Sequence, residues 1–329
     1  MIKKLPFKFP PTIDCYGGLA NECGILECYE QAKQYIIPDR MMIYTDNLDY
    51  TNGSYANMGS GLKNHFFNDV EVLHAKWREG FERDIIQYID NKKYILLELD
   101  HYRVPGSSSY IKDHFYHGNA MIYGYNLEKE IFYVTDNFVD GKFVILEIGF
   151  SDIIDARKHH EHDKSIAILS RDFNEGISYE VDIDLIKTIL KGYLNSKNPL
   201  LHLTHESKSI VSQRIYGLDV YAYLLRYFEL LADYKVPLDV RGFHVVYNHM
   251  DLILLFLHYI KKRNVLRDVD TYQKHYTSLL GKISSIRTMM LTLGITKEPS
   301  LLERIKAIMH DLASQEERVI GMLLKSLGD

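Results

Sequence analysis

Hydrophobic and polar positions follow two different rhythms along the chain, and the change falls near Asp184. Tyr94-Ile95-Leu96-Leu97-Glu98-Leu99 is a short, almost continuous apolar run, as expected of a buried strand. Three further strand-like runs follow closely, at Ala120–Tyr125, Glu130–Thr135 and Lys142–Ile148. Asn126–Lys129 and Asn137–Gly141 supply turn residues between them, which predicts an antiparallel meander. Upstream, Phe81–Ile89 predicts a short helix, while Asn52–Gly61 and Asp100–His117 are irregular. Near the start, Leu19, Cys23 and Leu26 fall at helical spacing. This predicts a helix capped by Asp14 and running to about Ala32, its first turn weakened by Gly17 and Gly18.

Beyond Asp184 the period becomes helical. Leu218, Tyr221, Leu224, Leu225, Phe228 and Leu231 form one apolar stripe, and Met250, Ile253, Leu254, Leu257 and Ile260 another. Leu301–Leu327 carries a third, with Glu and Lys on the opposite face. The expected organisation is an α+β region over residues 1–175, a helix plus an antiparallel sheet, followed by an all-helical region over 176–329.

Composition narrows the function classes. The chain has 329 residues, 46% of them hydrophobic and 25% charged, which is ordinary for a globular protein with a core. With a net charge of −5 and no basic run, a nucleic-acid surface is not expected. No run of about 18 apolar residues predicts a membrane span, and Met1–Leu5 has no signal-like apolar stretch behind it. Cys15, Cys23 and Cys28 are odd in number and clustered, unlike a disulfide framework. That usage suits a reducing cytoplasm.

The same cysteines raise the question of chemistry. A thiol attacks a carbonyl as thiolate, and a helix N-terminus stabilises that charge. Cys15 stands where the first helix is expected to begin, whereas Cys23 and Cys28 lie farther along it. A nucleophile also needs a base and a group to orient the base. His117 precedes the strand ending in Gly124-Tyr125, and Asp136 closes the next one. Antiparallel neighbours bring the start of one strand beside the end of the other, so these two side chains can meet. His114 competes with His117 for the base role, His117 being preferred on strand register. Asn137 competes with Asp136 as orienting group, Asp136 being preferred because it stabilises an imidazolium. Asp100 and Tyr102 follow a buried strand and, with His114, are candidates for binding substrate.

This combination resembles the papain-like cysteine peptidase superfamily, with spacing close to bacteriocin-processing peptidases. Asp100-His101-Tyr102-Arg103-Val104-Pro105, Tyr110-Ile111-Lys112-Asp113-His114 and Tyr123-Gly124-Tyr125-Asn126 resemble the butirosin biosynthesis protein H family. In the second half, Tyr216-Gly217, Leu238–His244 and Asn248-His249 are similar to the helical part of that family. The resemblance implies a papain-like fold and an acyltransferase of antibiotic or related secondary-metabolite biosynthesis. An acyl chain would pass from the phosphopantetheine thioester of a carrier protein, through acyl-Cys15, to a small amine, forming an amide, as in the related amide-forming enzyme of closthioamide biosynthesis. His117 and Asp136 would complete the triad. The phosphopantetheine belongs to the carrier, and neither a bound cofactor nor a metal is implied. The glutamine that serves the oxyanion hole in bacteriocin-processing peptidases has no counterpart, since Lys8-Phe9-Pro10-Pro11 stands there.

Two other readings accompany this one. The same triad would serve a cysteine peptidase or thioester hydrolase, and a non-catalytic carrier or ligand-binding protein could share the fold. Self-association into a homo-oligomer is left open. His159, His160, His162 and Asp163 are expected to form a solvated loop, because adjacent histidines of an extended chain point apart. Asp239 and Arg241 are expected in a polar network between the two regions.

Overall fold

A computed structural model describes residues 1–68, 71–75, 80–158, 166–203 and 211–328, with backbone alone for 71–75, 117, 158 and 166–170. In chain order the strands are β1 (Ile2–Lys4), β2 (Ile43–Thr45), β3 (Asn57–Met58), β4 (Glu71–Ala75), β5 (Tyr94–Asp100), β6 (Tyr116–Asn126), β7 (Ile131–Val139), β8 (Lys142–Gly149), β9 (Ile166–Arg171) and β10 (Ile215–Tyr216). The α-helices are α1 (Gly17–Leu26), α2 (Ile36–Arg40), α3 (Phe81–Asp90), α4 (Phe150–Lys158), α5 (Ile183–Leu194), α6 (Asp219–Ala232), α7 (Arg241–Lys262), α8 (Val269–Thr296) and α9 (Ser300–Ser326). The chain is therefore mixed α+β with a helical C-terminal part. Among the described residues no helix is long and apolar enough to cross a membrane.

Two compact units divide the chain, one of Met1–Lys33 with Asn64–Tyr179 and one of Gln34–Lys63 with Glu180–Asp329. The first is built on an antiparallel sheet ordered β4-β9-β5-β6-β7-β8, with β1 paired to the later part of β6. The expected meander is β6-β7-β8. Strand β5 is covered on both faces, which explains its unbroken apolar sequence. Helix α1 packs on β6 and β7, and α3 and α4 pack on β5. Strands β1, β4 and β9 and helix α4 went unpredicted, because their partners lie far away in sequence.

Helix α1 is shorter than expected. After Leu26 the hydrogen bonds tighten to i−3, from Cys28 N to Ile25 O (3.0 Å) and from Tyr29 N to Leu26 O (3.1 Å). Tyr29 then stacks on Phe173, with ring centroids 3.7 Å apart.

Residues Gln34–Lys63 belong to the second unit, which differs from a division at residue 175. Strand β2 lies between β3 and β10, with Thr45 opposite Ile215 and Tyr44 opposite Tyr216. The loop after it is tied down as well. Ser54 donates from its backbone to Asp239 Oδ2 (2.9 Å), and Arg241 donates to Asn52 O (2.7 Å). The network at Asp239 and Arg241 thus joins residues on the two sides of position 175, both of which belong to this unit. The helices bury the anticipated stripes, with Met250, Ile253, Leu257 and Ile260 of α7 inaccessible.

One carboxylate lies deep among those helices. Glu316 of α9 accepts the hydroxyls of Tyr193 (2.9 Å) and Tyr221, and His249 Nε2 is 3.3 Å from its other oxygen. The His249 ring stacks on Tyr193 at 4.7 Å, and all four side chains are fully buried.

Candidate active site

The site grows from the first turn of α1. Tyr16 is the N-cap, in extended conformation, and makes no side-chain cap. Asp14 therefore does not cap the helix, and Cys15 lies two residues before its first helical residue. The N–H groups of this first turn have no partner within the helix, the first intrahelical bond being Ala20 N to Tyr16 O (2.8 Å). Positive potential from these groups falls on the approach carrying Cys15.

What presses on that turn explains the two glycines. A Cβ at Gly17 would lie 2.5 Å from Asp136 Oδ1, 3.1 Å from Asn119 Cβ and 3.1 Å from Asn137 Oδ1. A Cβ at Gly18 would lie 3.0 Å from Asn119 Oδ1. Only a residue without a side chain lets the helix end meet the sheet this closely. The contact is fixed one turn later by a buried network: Asn21 donates to Asn119 O (2.6 Å), and Thr135 Oγ1 donates to Asn21 Oδ1 (2.6 Å). Pairing of Met121 with Thr135 sets Asp136 level with Ala120, in the first half of β6.

Asp136 is fully buried. Its Oδ1 accepts the backbone N–H of Asn137 (2.8 Å), and its Oδ2 lies 3.3 Å from His101 Nε2. His101 is itself only 2% exposed, held between Phe115 and Phe138 at centroid distances of 5.2 and 4.8 Å. A carboxylate so far from water needs such partners. Sequence reasoning passed over His101, although a histidine ending a buried apolar strand is a usable signal. Asn21, Asn119 and Thr135 were missed too, because their roles exist only across the α1–sheet contact.

The three thiols differ. Cys15 is 7% exposed at the helix approach, Cys23 is enclosed within α1, and Cys28 is exposed at the far end. The Cys28 thiol donates to Gly24 O (3.4 Å), and partial enclosure of the sulfur, with Glu27 beside it, pushes its pKa up. Of the candidate bases, His117 pairs with Leu99 across β5 and β6, and its imidazole lies outside the described side chains. His114 comes just before β6 and has a carboxylate of its own. Its Nδ1 is 2.7 Å from Asp100 Oδ2, and Tyr102 stacks on its ring at 4.3 Å. The three candidate substrate-binding residues, Asp100, Tyr102 and His114, thus form one cluster.

Lys8-Phe9-Pro10-Pro11 faces a different task from oxyanion binding. Lys8 N donates to Gly24 O (2.9 Å), and its ammonium pairs with Glu27. Thr12 N also donates to Glu27, at 2.7 Å. This stretch is fastened to the C-terminal end of α1, opposite the end that Cys15 approaches. Among the described residues no group of three or more His, Cys, Asp or Glu could hold a metal ion. His159, His160, His162 and Asp163 lie outside the described residues. No family model and no curated protein matches the chain.

Proposed function

We propose that the first unit is a papain-like cysteine acyltransferase that forms amides. One observation carries the reading: the buried Asp136 carboxylate packs against the first turn of the helix that Cys15 approaches. A thiol at the N-terminal approach to a helix and an oriented carboxylate are two of the three parts of a nucleophilic triad. His117, at the start of the strand adjoining Asp136, supplies the third.

In this mechanism the Cys15 thiolate attacks the thioester carbonyl of an acyl chain on a carrier protein. The carbonyl oxygen becomes an oxyanion near the Cys15 N–H and the first turn of α1. Collapse expels the carrier's phosphopantetheine thiol, which takes a proton from His117, and leaves acyl-Cys15. An amine then attacks, His117 accepts a proton from its nitrogen, and collapse forms the amide and frees Cys15. Asp136 holds the imidazole tautomer, and His101 holds Asp136. No metal or bound cofactor takes part.

The test is intact-mass analysis after incubation with N-acetylcysteamine thioesters and a simple primary amine. Wild type is expected to acquire one acyl group, mapped to Cys15, and to release amide. Cys15→Ala is expected to do neither, with unchanged thermal melting. Because Cys28 is exposed, Cys28→Ser serves as the labelling background. Full turnover by Cys15→Ala would end the proposal, and acid without amide would reassign the enzyme as a hydrolase.

A further inference from the structure

Among its described residues the first unit holds two separate histidine–carboxylate pairs. His101 with Asp136 is sealed. His114 with Asp100 opens to water, since the His114 side chain is 54% exposed while Asp100 is fully buried. The buried carboxylate fixes the orientation of the exposed ring. Asp100 Oδ2 takes the Nδ1 side (2.7 Å), and its Oδ1 accepts the Tyr102 N–H (3.1 Å). His114 is therefore held as the Nδ1–H tautomer, which leaves Nε2 as the basic nitrogen. Among the described residues Nε2 makes no hydrogen bond. Tyr102 covers one part of the ring at 4.3 Å, and Tyr116 lies nearly parallel at 6.2 Å. Exposed Ile111 and Phe115 flank the cluster; Ile111 N donates to Tyr102 O (2.9 Å), and Phe115 follows His114 directly.

Amide formation needs two proton acceptors where hydrolysis needs one. An alkyl amine, with a pKa of about 10, arrives almost wholly as ammonium at neutral pH. One proton must leave before the nitrogen can attack. A second leaves as the tetrahedral adduct forms, and the triad base returns it to the departing Cys15 thiolate. Water needs only that second transfer.

We infer that Asp100, His114 and Tyr102 form an acceptor site that binds a primary ammonium carried on an apolar body and removes its first proton. The inference rests on the acyl-Cys15 reading. Tyr102 already carries His114 at 4.3 Å and the Arg103 guanidinium at 5.9 Å, so the ammonium meets the exposed Nε2 edge of His114, while Ile111 and Phe115 meet its apolar body. His114 Nε2 takes the proton from R–NH3⁺, giving R–NH2 and an imidazolium stabilised by Asp100, and then releases the proton to water. The free amine attacks acyl-Cys15, so that R–NH3⁺ and the acyl-enzyme yield amide, Cys15 thiol and one proton.

The experiment measures amide against free acid from acyl-Cys15 in wild type, His114→Gln and Asp100→Asn, using hexanoyl-N-acetylcysteamine and butylamine. At neutral pH His114→Gln is expected to lower the amide-to-acid ratio about 100-fold, with Asp100→Asn intermediate. The deficit is expected to close as pH rises towards the amine's own pKa. It is expected to vanish with O-methylhydroxylamine, which is already unprotonated at neutral pH. A His114→Gln ratio equal to wild type would overturn the inference. Loss of acyl-Cys15 in that variant would also overturn it, making His114 the triad base. If wild type itself never forms acyl-Cys15, the acyltransferase reading fails and the acceptor site falls with it.

Discussion

Two carboxylates in this protein, Asp100 and Glu316, are each met by a histidine; Asp100 also has a backbone N–H and Arg103, Glu316 has two tyrosine hydroxyls, and the two pairs differ in access to water. Asp100 is buried, but its partner His114 is half exposed. Glu316 has His249, Tyr193 and Tyr221 around it, all inaccessible. The hydroxyls of Tyr193, Tyr221 and Tyr276 are pushed well up, first by burial and next by the charge of Glu316. A proton on such a group has nowhere to go while the helices remain packed. A histidine–carboxylate pair thus opens to water at the end of β5, where we propose proton exchange, and is enclosed among helices in the second unit. Chemistry follows from which member of the set reaches solvent, not from the set itself.

The sharpest way to break this contrast is to remove each carboxylate. Glu316→Ala strands a buried histidine and two tyrosine hydroxyls, and is expected to cost about 3–5 kcal/mol in denaturant unfolding. A cost below about 1 kcal/mol would mean the cluster is not an interlock. Next comes Gly17→Ala, whose methyl would collide with Asp136 Oδ1. It is expected to cost about 1–3 kcal/mol and to abolish acylation of Cys15, since Asp136 must move. Gly18→Ala meets only the tip of Asn119 and is expected to do less on both counts. Wild-type acylation by Gly17→Ala would separate Asp136 from the chemistry.

Alkaline pH sharpens the contrast without mutation. Tyr50 and Tyr123 are pushed up to about 12 by burial, with Tyr223 and Tyr133 as the next causes, in the same direction as the Glu316 tyrosines. A tyrosine with a raised folded pKa stabilises the fold fully below its unfolded value of about 10. That contribution is lost as pH rises towards the folded value. Melting temperature is thus expected to fall from about pH 10 upward, with phenolate absorbance appearing together with unfolding. Smooth tyrosine titration in a fully folded chain would contradict this. Smallest is the expected stability effect of His114→Gln, within about 0.5 kcal/mol, because half of that side chain is already in water.

How much of this could be read from sequence depended on how far apart the partners lie. Strands β6 to β8 were legible because they pair across short turns and β5 because its apolar run is unbroken, and the place of Asp136 next to the Met121–Thr135 pair followed from that meander. The extent of α1 was not legible. Its residues are buried on nearly every side, so periodicity has no polar face to mark its limits. Gly17 and Gly18 read as weaknesses of a helix, and only the sheet pressing on them gives the reason for their presence. His101 escaped notice because its partner, Asp136, is two strands away. His114, read as a competing base and as a substrate-binding candidate, is held by Asp100, and that partner lies across the irregular stretch between β5 and β6.

The division of the chain into interleaved units bears on how it is made. Residues Gln34–Lys63 emerge early, yet β2 waits for β10, whose Ile215 pairs with Thr45 about 170 residues later. At roughly 5–20 residues per second, that leaves Tyr44 and Thr45 without their β10 partners for about 10–30 s of synthesis. The first unit meanwhile is assembled from residues on either side of that segment in the sequence. A nascent chain with such a deferred strand is a natural client for a holding chaperone, and cutting the gene at residue 175 would orphan β2 for good.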